Sequence, residues 1–186
     1  MGASRRDLNR QRTIADIEGA FLESYRQVGI DGVSISEICQ VCGISRSTFY
    51  LYFEDKYAML QQAEDRLLAR LWELCGQLPD VLRPDEVSDN AASTIAHIRE
   101  NMAWYQALLG THGDPMFVYR WKRDIADSLR KKLSPRNLPE QDATIRGVVF
   151  ASALIGLYTH VIFECPDISD AQLGRYMESV LEKFLK

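Results

Sequence analysis

The chain is short of everything that marks a secreted or membrane protein. Only four cysteines occur in 186 residues, Cys39, Cys42, Cys75 and Cys165. Only the first two are near neighbours, so no disulfide framework is spelled out and a reducing cytoplasm is the expected home. The N-terminal run MGASRRDLNRQR has arginines but no apolar stretch behind it, so no secretory leader is expected. The longest nearly apolar stretch, Val148 to Phe163, is interrupted by Ser152, Thr159 and His160. A spanning helix needs about 20 apolar residues, so this stretch is expected as a buried helix. A basic surplus is also lacking. Lys and Arg total 22 against 26 Asp and Glu, a net charge of −4, which excludes a uniformly basic nucleic-acid coat and leaves only local charge arrangement to argue from. Finally there is no G-x-S-x-G, no Walker loop, no G-x-G-x-x-G and no paired metal motif, so no enzyme activity, cofactor or metal is expected.

Strand signals are equally scarce. No segment alternates with period two, and the one Asp-Gly pair, Asp31-Gly32, lies between helical patterns. What remains is ordinary globular composition, 46% hydrophobic and 26% charged, with apolar residues recurring at helical spacing. The pattern predicts an all-α chain of about nine helices. Ile14, Ile17, Phe21, Tyr25 and Val28 mark a first helix closed by Gly29. Ser34 with Glu37, and then Ser45, open two short helices, and Asp55 caps a long one with the stripe Leu60, Ala63, Leu67, Leu71, Leu74 and Leu78. Beyond the Pro79 to Pro84 break, one or two helices are expected up to Leu109. Another starts at Asp114-Pro115, a long one covers about Glu140 to Glu164, and a last one follows Ser169.

The run Ser34 to Lys56, SISEICQVCGISRSTFYLYFEDK, carries the most information. Two short capped helices are separated by Gly43-Ile44-Ser45, and a left-handed glycine there lets the chain reverse within three or four residues. Ile38, Ile44, Phe49 and Phe53 are spaced to pack the two helices together. Arg46, Ser47, Thr48, Tyr50 and Tyr52 are left on the outer face and N-terminal end of the second helix, and these types donate to phosphates or reach base edges. This is a helix-turn-helix with a recognition helix. The four arginines Arg5, Arg6, Arg10 and Arg12 against Asp7 leave open two readings of the N-terminus, a frayed solubilising tail or an arm that tracks DNA phosphates or the minor groove.

The segment ISRSTFYLYFEDKYAML, with Gly32-Val33-Ser34-Ile35, Glu37-Ile38 and Gly43-Ile44-Ser45 before it, resembles the hallmark of the TetR/AcrR regulators over about 50 residues. The resemblance implies a helix-turn-helix DNA-binding domain over residues 1–56. It also implies a linking helix and an all-helical ligand-binding and dimerisation domain over 57–186. It points to Tyr50, Tyr52 and Lys56, joined by Thr48, as phosphate contacts, and to Ser36, Arg46 and Ser47 as base contacts. The positions of Cys39 and Cys42 commonly hold alanine in that family, so both fit small buried slots, and a zinc reading lacks its other ligands. AHIRENMAWYQALLG and the last two helical segments are similar to one C-terminal domain type of the family.

On that reading the chain is a cytoplasmic transcriptional regulator, a homodimeric repressor on a palindromic double-stranded DNA operator, released by a small-molecule effector, with no membrane partner. Trp104, Tyr105, Phe117, Trp121, Phe150 and Tyr158 are the expected lining of a mostly apolar effector cavity. Tyr158 and His160, two apart on one helix, diverge by about 200°, so only one can turn inward as a polar anchor. Leu173, Tyr176, Met177, Val180, Leu181 and Phe184 are the expected dimer seam, beside the small residues Ala151, Ser152, Ala153 and Gly156. The alternative is a regulator or activator of the same fold that works through a protein co-regulator, without its own ligand.

Overall fold

The computed structural model describes residues 4–76, 84–133, 138–165 and 167–185, and every regular element among them is a helix. In chain order these are α1 (Arg5–Gly32), α2 (Ile35–Cys42), α3 (Arg46–Tyr50), α4 (Lys56–Gly76), α5 (Pro84–Glu100), α6 (Met102–Leu109), α7 (Pro115–Leu133), α8 (Glu140–Phe163) and α9 (Asp170–Leu185). Leu78, Pro79 and Pro166, given roles in the sequence reading, lie outside the described residues. The chain divides into two compact units, one through Asp65 with Ala107–Gly113, the other Arg66–Gln106 with the chain from Asp114 on. The division therefore falls inside α4, not before it.

In the first unit each helix begins where a side chain satisfies amides that the helix leaves open. Ser4 and Asp7 form a reciprocal capping box that starts α1, so the arginine-rich N-terminus is helical from Arg5. Ile17, Phe21 and Tyr25, one turn apart, are buried. The expected fifth member of that stripe, Val28, is 51% exposed, because Gly29 at φ 68° breaks the helical path just after it. A Cβ at Gly29 would only touch His112 at 3.5 Å, so it is the backbone conformation, not space, that calls for glycine. Ser34 and Ser45 accept from the amides of Glu37 and Thr48 and open α2 and α3. Gly43, φ 64°, turns the chain between them, with its amide bonded back to the end of α2. Ile38, Phe49 and Phe53 are buried, the two rings 5.6 Å apart. Asp55 caps α4 by accepting from the Ala58 amide at 2.7 Å.

In the second unit α7 packs along α8, and α9 packs mainly on α5 and also touches α8. α5 and α6 are separated at Asn101, whose side-chain amide donates to the His97 carbonyl at 2.9 Å. Asp114 and Pro115 start α7 as the sequence predicts, with the Met116 amide 2.7 Å from the Asp114 carboxylate. The Arg99 guanidinium donates to the Asp170 carboxylate and the Ile168 carbonyl and ties α5 to the start of α9. Ile95, Ile98, Leu173 and Met177 are buried. α8 is long and apolar enough, by length and composition, to cross a bilayer. Its inner face, with Phe150, Leu154, Tyr158 and Ile162, is buried within the unit, so it serves as a core helix. α7 and α8 approach closely at Gly147, where an added Cβ would lie 2.6 Å from the Ala126 carbonyl oxygen.

Candidate functional site

The turn at Gly43 presents the N-terminal ends of α2 and α3 side by side. Ser36, Arg46 and Ser47 are exposed there, and the Arg46 guanidinium donates to the Ser36 hydroxyl, joining two expected base contacts before any ligand arrives. Ser45 bonds the hydroxyls of Ser47 and Thr48 at 2.7 and 2.9 Å. The head of the helix is thereby a fixed set of donors with one cation, on a base of fully buried Phe49. Tyr50 stands 53% exposed, edge-on to Phe49 at 5.6 Å, and Tyr52 is half-buried. Short polar side chains and an arginine at a helix N-terminus, flanked by phenols, are the side-chain types able to reach base edges and phosphates.

Lys56 has a second task that the sequence does not reveal. Its ammonium donates to the carbonyls of Asp31 and Val33 at 2.8 and 3.1 Å, closing the end of α1 onto the start of α4. Two of its three protons are therefore committed inside the protein. Beside it Tyr57 donates to the Asp31 carboxylate at 3.2 Å, which pushes the phenol's pKa up.

The N-terminal arginines were legible as a cluster but not as part of this face. Helical from Arg5, the arm lays Arg6, Asn9, Arg10 and Thr13 along a polar cleft of about 390 Å³ that Tyr52 closes, with the Arg10 guanidinium 6.0 Å over the Tyr52 ring. The capping pair Ser4 and Asp7 was the missed signal for this order. Cys39 is buried, and Cys42 donates to the Asp16 carbonyl at 3.4 Å. Burial, and then the negative charge of Asp16, push the Cys42 thiol's pKa up.

The six aromatic residues expected around an effector lie together in the second unit, but ring against ring. Tyr105 is 5.5 Å from Trp121 and 6.2 Å from Phe117, and Trp121 stacks on Tyr158 at 5.5 Å and 9°. Trp104 and Phe150 are buried as well. Trp121 also borders a minute cleft of about 10 Å³ with Leu68, Leu71 and Ile125. Ring-on-ring contact holds Tyr105, Phe117, Trp121 and Tyr158 together in this conformation. Tyr158 faces inward, its hydroxyl 3.7 Å from the Met177 sulfur. His160 faces out, between the Cys165 thiol at 3.4 Å and the Glu164 carboxylate at 3.2 Å, so it is no cavity anchor. His97 packs edge-on to Tyr105 at 6.0 Å, and burial lowers its pKa.

The expected dimer seam also changes. Leu173 and Met177 are buried inside the protomer and offer nothing to a partner. Tyr176 is 55% exposed and Val180 half-buried, while the side chains of Leu181 and Phe184 lie outside the described residues. The larger apolar surface is on α8: Ile145, Val148, Val149 and Phe163 are all about half exposed, with Ser152, Ala153 and Gly156 open between them. The signal was in the sequence, since a helix apolar all round must bury its second face too.

The sequence profile of the bacterial regulatory proteins of the tetR family matches residues 20–63. No curated protein matches the chain. Among solved structures it is similar to a TetR-like transcriptional regulator from Rhodococcus sp., at 15% identity and a TM-score of 0.68, covering 93% of this chain and 95% of that one. A TetR transcriptional regulator from Streptococcus agalactiae shows 19% identity and a TM-score of 0.64 over 95% and 97% of the two chains. The dihydroxyacetone kinase operon activator DhaS shows 18% and 0.58 over 93% and 94%.

Proposed function

We propose that this chain, whose residues 20–63 match the profile of the bacterial regulatory proteins of the tetR family, is a DNA-binding repressor of that family, binding a palindromic operator as a homodimer and released by a small molecule. The observation that carries the DNA part is the pre-set Ser36–Arg46 pair and hydroxyl cluster at the head of the recognition helix, flanked by Tyr50, Tyr52 and the α1 arginines. The dimer rests on the uncovered apolar face of α8, continued by Tyr176. Paired recognition helices must sit about 34–36 Å apart, or a multiple of that, to meet successive major grooves. α4 runs unbroken from one unit into the other, so a small pivot of that helix on ligand binding moves the reading heads off this spacing. A coupling of about 1–3 kcal/mol is the usual size of such an effect.

Val149→Glu puts a charge on the exposed α8 face without touching the protomer core. By sedimentation velocity at micromolar concentration the wild type should run as a dimer and this variant as a folded monomer with weakened affinity for a full palindrome. A monomeric wild type overturns the reading.

A second reading is favoured by the ring-on-ring packing of the aromatic cluster. An activator partnered by a protein co-regulator needs no open cavity, and the similar structure of DhaS is that of an operon activator. Operator affinity that responds to a co-purifying protein, and to no small molecule, supports this reading over the first.

A further inference from the structure

One side chain on the outer face of the recognition helix is apolar. Leu51 follows the last residue of α3 with helical dihedrals, φ −72° and ψ −22°, and the Phe53 amide still donates to the Phe49 carbonyl at 3.1 Å. The helical path therefore runs through Leu51. Ser47 and Leu51 each stand two residues from the fully buried Phe49, which turns each of them about 200° away from the core. Being four residues apart, they share one face. Ser47 is exposed on it, and Leu51 is 76% exposed.

Single exposed leucines are common on protein surfaces. This one is set apart by its place. A groove that admits Ser47 to base edges must also take in Leu51, about 6 Å further along the helix and so close to two base steps away. Water leaves the leucine when DNA binds, and the apolar group that base edges offer in the major groove is the C5-methyl of thymine. We propose that Leu51 reads a thymine in each half-site by packing its side chain against that methyl group. Ser36 and Arg46 select by hydrogen bonding at one end of the face, and the leucine selects at the other by burying apolar surface. The inference rests on the DNA-reading function proposed above and adds a specificity-determining residue to it. Burial of one methyl group is worth about a four-fold change in affinity, equivalent to about 0.8 kcal/mol.

The test takes the operator selected from random duplexes and replaces each thymine in turn by deoxyuridine, symmetrically in the two half-sites. This removes the methyl group and leaves every hydrogen-bonding atom of the base in place. Anisotropy titrations compare the wild type, Leu51→Ala and, as control, Val41→Ala, whose side chain is 77% exposed on α2. At one thymine position, deoxyuridine should weaken the wild type and Val41→Ala about four-fold per half-site, or about 15-fold for the palindrome. Leu51→Ala should bind the thymine and deoxyuridine operators alike at that position. Deoxyuridine without effect at every position overturns the proposal, as does a loss that persists undiminished in Leu51→Ala. If Arg46→Ala still relaxes base preference in either case, the operator reading stands without this residue. A wild type that enriches no sequence overturns the operator reading itself, and this inference with it.

Discussion

Gly147→Ala is the most exacting test of the packing that positions the α8 face. In the interior of a helix, glycine is worse than alanine by about 0.5–1 kcal/mol, so helix propensity alone makes this a stabilising change. The structure reverses the sign. The new Cβ would lie 2.6 Å from the Ala126 carbonyl oxygen and 3.3 Å from its carbon, both backbone atoms of α7, so no side chain can swing away. Relief requires α7 and α8 to separate by several tenths of an ångström along a buried seam, and overpacking of this kind costs about 1–3 kcal/mol. The net loss is about 1 kcal/mol, which for a chain of this size lowers Tm by about 2–4 °C. Thermal melts followed by circular dichroism read it directly. Gly19→Ala is the matched control, since a Cβ there meets nothing within 4 Å, and it should raise Tm slightly. A Tm for Gly147→Ala equal to or above the wild type would refute the close α7–α8 crossing.

Three further outcomes follow from single groups. Lys56→Ala strips the carbonyls of Asp31 and Val33 of a charged donor and should cost about 1–2 kcal/mol, read as a lower urea midpoint; an unchanged midpoint would show the lysine to be a surface cation only. His97 has a lowered pKa, so below its ordinary value of 6.5 the unfolded chain binds more protons than the folded one. Its contribution is complete above pH 6.5 and lost as pH falls below it, and His97→Gln should flatten that part of the stability–pH curve; an unaltered slope would contradict its burial. Replacing Arg6 and Arg10 together by alanine should weaken binding to specific and random duplexes alike and reduce the salt slope by about 2 per subunit, if each meets one phosphate; a change confined to the specific site would contradict a backbone-tracking arm.

Much of this was legible because local chemistry decides it. The caps Ser34, Ser45, Asp55 and Asp114, and the left-handed Gly29 and Gly43, each satisfy a need of the backbone within a few residues, and all stand where the spacing puts them. The helix-turn-helix face was legible for the same reason. Partnering across the chain was not. That Lys56 holds carbonyls 23 and 25 residues away, or that Arg99 reaches Asp170, depends on which helices meet, and side-chain type alone does not say so. The α9 stripe misled for a related reason. An amphipathic helix shows that one face is covered but not by what, and here Leu173 and Met177, which the sequence reading assigned to a partner, are buried within the protomer. The aromatic residues posed the same ambiguity, since rings that could line a cavity can equally fill it.

The central claim, that the α2–α3 surface reads DNA sequence, is tested most directly by selection from random duplexes followed by anisotropy titration of the winning sequence, with wild type and Arg46→Ala in parallel. The account predicts enrichment of a palindrome, bound at least about 1,000-fold more tightly than random duplex. Arg46→Ala should lose about 1–3 kcal/mol of discrimination at one base pair of each half-site while its binding to random duplex stays nearly the same. Failure to enrich any sequence, or an Arg46→Ala variant that selects the same palindrome with the same preference at every position, would contradict it.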